Sequence, residues 1–218
     1  MATKNKQYLD NLISDLINLI SEKKAELFEL NRKITLDTSY WISEDYEAVK
    51  VYLKNYIKNH YSLKLLKQIK PKCKILIILS YNEPFILSII PLLNALIVGN
   101  DVILKPSREA EGFVRMIWQE SGIVEKYELN LKIVSPKTHS KTANLIQGVR
   151  AVYFFGSHRA AQDISKICGE YYVEFYPEIE AADSKIFNKY RSAIKKDVIL
   201  TLKESFSHSG QTCQRIQG

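Results

Sequence analysis

Four short segments of this 218-residue chain gather residue types that can do chemistry: Ser80-Tyr81-Asn82-Glu83-Pro84, Lys105-Pro106-Ser107-Arg108, Gly156-Ser157-His158 and His208-Ser209-Gly210-Gln211-Thr212-Cys213. Each has an ordinary explanation when taken alone. Lys-Pro-Ser is a common turn, Gly-Ser a common helix cap, and a lone Cys a small buried apolar residue. Their placement carries more. Three follow short apolar runs and the fourth follows a long helical run. In open α/β sheets, ligands collect at the carboxyl ends of the strands, where loops and helix N-termini present unpaired N–H groups. Asn82 precedes Lys105 by 23 residues, Lys105 precedes Gly156 by 51, and Gly156 precedes Cys213 by 57.

The elements that must hold these segments can be read from periodicity. Leu9, Leu12, Ile13, Leu16, Ile17 and Ile20 repeat at helical spacing, and Leu27 and Leu30 extend the pattern into one helix. Asp37-Thr38-Ser39 separates it from a second helix, expected from about Ser43 to Ile69. The pattern changes at Lys70-Pro71-Lys72. Ile75 to Leu79 is a continuous β-branched and apolar run, as in a parallel strand buried on both faces. Strands follow at Asp101–Leu104, Leu131–Val134 and Ala151–Phe155, with helices at Pro84–Val98, Glu109–Gly122, Ser140–Gln147 and Arg159–Cys168. Tyr171–Tyr176 and Lys185–Phe187 read as extended and Asn188–Phe206 as helical, with no terminating element after it. The alternation predicts an α/β fold, a Rossmann-like, mostly parallel sheet with flanking helices and a helical N-terminal lead-in.

The order of the four segments resembles the aldehyde dehydrogenase superfamily. Ser80–Pro84 stands where that family has Pro-Trp-Asn-Phe-Pro. Leu92 to Ser107, with Ala95-Leu96, Gly99-Asn100, Val102 and Lys105-Pro106-Ser107, is similar to its Ala-Leu-x-x-Gly-Asn-x-Val-x-x-Lys-Pro-Ser stretch, the most specific match. Phe154-Phe155-Gly156-Ser157 is similar to Phe-Thr-Gly-Ser, and Ser209–Cys213 to the Gly-Gln-x-Cys loop that carries the family nucleophile. The likeness covers roughly residues 10 to 218.

The resemblance implies an NAD(P)-dependent oxidoreductase that oxidises an aldehyde, or reduces an acyl derivative, through a cysteine thiohemiacetal and thioester. Cys213 is then the nucleophile, since a thiolate forms more readily than an alkoxide. Asn82 is then a donor to the developing oxyanion. Lys105 would hold the adenosine ribose, and Gly156 and Ser157 would face the pyrophosphate. Ser107 belongs to the same cofactor-binding stretch. Arg108 stands where NAD-using relatives often have Glu; a guanidinium suits a 2′-phosphate and leans the cofactor from NAD towards NADP. The family's second loop glycine is Ala161. The general base departs most from the pattern: the family has Glu-Leu-Gly-Gly-Lys and this chain Glu178-Ile179-Glu180-Ala181-Ala182, with Glu174 and Glu180 as competing registers. Members that pass the acyl group to coenzyme A, or reduce acyl thioesters and acyl phosphates, need no such base. The implied substrate is a small aldehyde or acyl compound, and a homo-oligomer is the family habit.

The same resemblance implies about two hundred further residues of catalytic domain. The expected division is therefore a helical lead-in at 1–70, a dinucleotide-binding domain at 71–206, and the start of a catalytic domain at 207–218. A non-catalytic nucleotide- or partner-binding remnant is the alternative reading. Composition excludes other classes. A chain 46% hydrophobic and 25% charged is globular rather than disordered. Its longest apolar stretch, Phe85–Val98, is interrupted by Ser88, Pro91 and Asn94 and too short to span a bilayer. Three scattered cysteines suit neither a disulfide framework nor a metal site, and with no secretion signal they fit a reducing cytoplasm. The net charge of +7 comes with no nucleic-acid recognition motif, so no nucleic-acid partner is expected.

Overall fold

The computed structural model describes residues 6–58, 70–136 and 142–179, with the backbone of 181–184 and 214–217. Three helices lead in: α1 (Lys6–Glu22), α2 (Lys24–Thr35) and α3 (Ser39–Lys58). The alternating part follows as β1 (Lys74–Ile78), α4 (Pro84–Ile97), β2 (Asp101–Lys105), α5 (Glu111–Trp118), α6 (Ile123–Lys126), β3 (Leu131–Ile133), α7 (Thr142–Gln147), β4 (Ala151–Gly156), α8 (His158–Glu170) and β5 (Glu174–Ile179). Two further short strands are β6 (Ala181–Ser184) and β7 (Gln214–Gln217).

The five main strands form one parallel sheet in the order β3-β2-β1-β4-β5. β1 is central, and Ile75, Leu76 and Ile77 are each at most 1% exposed, as a strand covered on both faces requires. Ile75, Ile77, Val102, Leu104 and Ala151 face a core built with α1 to α6. Leu76, Ile78, Ile103, Val152 and Phe154 face the opposite way, with Ile146 of α7 and Ala161 and Cys168 of α8. The result is three layers, with the sheet in the middle.

Phe85, in the first turn of α4, is the hub of the larger core. Its ring lies edge-on to Phe113 of α5 at 4.9 Å, Tyr46 of α3 at 5.7 Å and Phe28 of α2 at 5.8 Å. The lead-in helices therefore grip the start of the helix that follows β1. At the other end of α4, Gly99 adopts φ +90°, and Asn100 is buried with both ends of its amide used. Its Oδ1 accepts from Lys72 N at 2.8 Å and its Nδ2 donates to Ala95 O at 3.0 Å. Gly99-Asn100 in the most specific motif is thus a structural joint between α4 and β2.

Several boundaries differ from the periodicity. The first helix is two, broken at Lys23. Ser21 Oγ donates back to Ile17 O at 2.7 Å, a bond that bends helices, and the polar run Ser21–Lys24 has no apolar side chain to hold it straight. α3 starts at Ser39 rather than Ser43, because the buried Ile42, with its N–H on Thr38 O at 3.2 Å, draws the turn into the core. The helix expected over Glu109–Gly122 ends at Trp118, and Gly122, at φ +71°, starts the separate α6. β6 and β7 pair in parallel, a strand pair that the composition of these segments did not announce. The expectations for 59–69, 185–187 and 188–206 lie outside the described residues.

Truncating Phe85 to Ala should cost about 3–5 kcal/mol, and Phe85→Leu less than about 2 kcal/mol, in urea unfolding at unchanged m-value.

Candidate functional site

The strand register sets the site. Ile78 of β1 is level with Lys105 on one side and Phe154 on the other, so the carboxyl ends of β2, β1 and β4 lie in one row. Lys105 and Phe154 are then two strand spacings apart, roughly 10 Å. From β1 the chain crosses to β2 on one side and, after β3, reaches β4 on the other. The loops after β1 and β4 therefore diverge at the switch point of the sheet, where open α/β folds leave a crevice.

Lys105 is the last residue of β2 and 6% exposed, rare for a lysine. Burial holds its ammonium below the ordinary lysine pKa. Its backbone carbonyl accepts Leu79 N at 3.0 Å, which ties the ends of β1 and β2 together. Among the described residues its ammonium has no hydrogen bond or ion pair, and burial leaves it a desolvated donor. Ser107 Oγ accepts from Ala110 N at 3.2 Å and shapes the turn into α5, while Arg108 is exposed on that turn.

On β4, Gly156 is the last strand residue and Ser157 caps α8, its Oγ accepting from Ala160 N at 3.4 Å. A Cβ on Gly156 would come within 2.7 Å of the Phe154 ring, so only glycine allows the strand to close on its own aromatic residue there. One side-chain oxygen cannot satisfy every N–H of the first turn of α8, so that turn carries a partial positive charge. Beside this helix a cleft of about 570 Å³ opens between α8 and β5, with His158 at one end and Phe175, Pro177 and Ile179 along it. Of the residues singled out in the sequence, His158 and Ala161 line it, while Asn82, Lys105, Gly156, Ser157 and Glu178 do not.

After β1, Asn82 is half-buried and its Oδ1 is held by Ser80 Oγ. Glu83 precedes Pro84 at the start of α4. Behind this loop lies an acidic cluster missed by motif reading, because its members come from α3 and the α2–α3 turn. Asp45 is 5% exposed, and its carboxyl is pushed up to about 8 by burial first and then by the charges of Glu83, Asp37 and Glu44.

The candidate bases separate. Glu174 starts β5, level with Ala151, at the amino end of the sheet, remote from the other site loops. There it pairs with Lys72 and, at 3.3 Å, with Arg150 Nε, and accepts from Tyr176 OH at 2.5 Å. The hydrogen bonds from Lys72 and Tyr176 hold its carboxyl below the ordinary value, so it is an ion-pair anchor for the edge strand. Glu178 is near the carboxyl end, level with Phe155 and exposed. Glu180 and Cys213 lie outside the described residues. Gln214, next after Cys213, is level with Ala181, two residues past the end of β5.

A parallel sheet of this order, with helices on both faces and its loops opening at the carboxyl ends, defines the doubly wound, Rossmann-like α/β class. Within that class, the chain belongs to the aldehyde dehydrogenase family, whose model matches residues 4–217. No curated protein matches it. Among solved structures it is similar to a putative aldehyde dehydrogenase, PutA, from Anabaena variabilis (TM-score 0.80, 19% identity, covering 95% of this chain and 47% of that one). It is also similar to an aldehyde dehydrogenase from Bartonella henselae (0.78, 15%, 99% and 48%). A third is the NAD+ complex of an aldehyde dehydrogenase from Bacillus cereus (0.74, 17%, 97% and 46%). At these identities the likeness is one of fold, and the chain spans about half the length of each of these relatives. Among the described residues no helix is long and apolar enough to cross a membrane.

The Asp45 cluster gives a pH dependence. In the unfolded chain Asp45 loses its proton near 3.8, whereas the folded protein keeps it to about 8. The folded state binds the extra proton, so this contribution is complete below 3.8 and is lost as pH rises through about 8. Thermal unfolding should show that decline. Asp45→Asn should abolish it, melting at about pH 8.5 higher than the parent by roughly 2–4 °C for each kcal/mol recovered.

Proposed function

We propose that this chain forms the dinucleotide-binding part of an NAD(P)-dependent oxidoreductase acting on an aldehyde or acyl compound through a cysteine thioester. The buried Lys105 at the carboxyl end of β2, its ammonium without a partner among the described residues, carries the reading. A desolvated ammonium at the end of β2, two strands from the one that leads into a helix N-terminus, suits a ligand with hydroxyl oxygens at one point and phosphate at the next. Lys105 would bind the ribose, Gly156 and Ser157 would admit the pyrophosphate to the first turn of α8, and Ser107 would shape the turn between them. Arg108, exposed on that turn, favours NADP over NAD by offering a guanidinium to a 2′-phosphate.

A bound nicotinamide supplies a hydride acceptor. The chain's own part of the chemistry begins with Cys213, whose thiolate attacks the carbonyl carbon, forming a C–S bond while the carbonyl π pair moves onto oxygen. Asn82 Nδ2 and the Cys213 N–H donate to that oxygen; such a donor is worth about 10²–10³ in rate. The β6–β7 register supports this role, because it brings Gln214 to the residues just past β5. In the oxidising direction the oxyanion pair would re-form the C=O as hydride leaves that carbon for the acceptor, giving a thioester; water would then add to the carbon, Glu178 taking its proton, and the Cys213 thiolate would leave. Glu178 is an exposed edge-strand residue whose carboxylate has no hydrogen bond or ion pair among the described residues, which favours a second reading in which the acyl group passes to coenzyme A or is reduced, without a base. The division into 1–70, 71–206 and 207–218, a cytoplasmic location and a homo-oligomer complete the proposal. A remnant that binds nucleotide without turnover is the competing class.

Fluorescence titration with NADPH and NADH should give saturable binding, weakened at least about tenfold by Lys105→Ala. Arg108→Glu should shift preference towards NADH, and no saturation with either dinucleotide would overturn the assignment. Thiol labelling at mildly acidic pH should modify Cys213 faster than Cys73 and far faster than Cys168, whose thiol is pushed up to about 11 by burial. Equal rates at Cys213 and Cys73 would remove the nucleophile.

A further inference from the structure

The carboxamide of Asn82 has a donor end and an acceptor end, and only the donor end can stabilise a developing oxyanion. Two residues before it this chain has Ser80, where the family segment Pro-Trp-Asn-Phe-Pro has a proline and hence no hydroxyl. Ser80 Oγ donates to Asn82 Oδ1. We propose that Ser80 is a positioning residue for Asn82, engaging the carbonyl end of its amide so that the Nδ2 hydrogens are the end offered to substrate oxygen. The inference deepens, and rests on, the reading of Asn82 as the oxyanion donor.

The surroundings make this bond decisive. On one side the loop is anchored by Leu79 N on Lys105 O at 3.0 Å, and on the other by Pro84 in the first turn of α4 and the fully buried Phe85. Both ends of the loop are thus fixed by packing and backbone pairing, while Ser80 and Asn82 are only half-buried between them. Within that fixed loop, the hydroxyl two residues upstream reaches the oxygen end of the Asn82 amide. Turned the other way, the amide would present an acceptor to a negatively charged oxygen. A catalytic donor held in place before the reaction avoids reorganisation as charge develops.

The test uses the 15N-labelled chain, with the Asn82 side-chain amide signals identified by their disappearance in Asn82→Ala. Ser80→Ala should shift those signals and speed their hydrogen exchange, whereas Ser80→Thr, which keeps the hydroxyl, should leave them in place. Thermal unfolding checks that each variant is folded. In turnover of an aldehyde with the preferred dinucleotide, Ser80→Ala should lower kcat about three- to tenfold, the range of one net hydrogen bond, with KM changed less than about twofold. Ser80→Thr should restore it. Unmoved amide signals in Ser80→Ala overturn the assignment, with or without turnover in the chain. So does an unchanged kcat in a background where Asn82→Ala costs about 10²–10³. If instead Asn82→Ala leaves turnover intact, the oxyanion reading fails, a result distinct from failure of the Ser80 bond.

Discussion

Everything in this chain depends on keeping β1 dry on both faces. A parallel strand paired on both edges has its backbone groups satisfied by β2 and β4, so its stability turns on covering the side chains above and below. α1 to α6 cover one face; α7 and α8 cover the other. Once that is done, the ladders leave no freedom in register. Ile78, Lys105 and Phe154 must stand in a row, and the loops that follow them must open at the same edge of the sheet. The crevice at the switch point is a consequence of burying β1.

The lead-in helices are part of that solution, since their apolar faces complete the core against which α4 packs. Phe85 joins α2, α3 and α5 to the first turn of α4, directly after the loop that holds Asn82. Tyr52 of α3 donates to Asn94 Oδ1 at 2.7 Å further along the same helix. The loop after β1 is therefore positioned from both sides, by strand pairing and by helices far away in sequence. The same closeness buries Asp45 behind Glu83 and raises its pKa, an electrostatic cost of bringing α3 so near the start of α4.

Much of the sheet was legible because a strand buried on both faces needs an unbroken apolar run, and Ile75–Leu79 has one. The helical breaks were not. Ser21 turning back to Ile17 and Gly122 in the left-handed region are local backbone choices that apolar periodicity does not record. The pairing of β6 with β7 joins segments about thirty residues apart through backbone groups, which any sequence can offer. Of the candidate site, Lys105, Gly156 and Ser157 occupy the carboxyl ends expected of them, while Cys213 and Glu180 lie outside the described residues. Glu174 and Glu178 could not be told apart beforehand, since a strand pattern does not say which charges meet a partner; the structure gives Glu174 to Lys72 and Arg150.

By itself the sequence determined the order of the main strands and helices and the candidate polar groups along them, because apolar spacing and motif spacing are both one-dimensional properties. The tertiary structure decided what each group experiences. It made Lys105 a buried ammonium, put Glu174 at the far end of the sheet, gathered Asp37, Asp45 and Glu83 into one field, and laid Ser80 against Asn82. Solvation and charge proximity depend on distances through space, and those exist only once the layers have closed on β1.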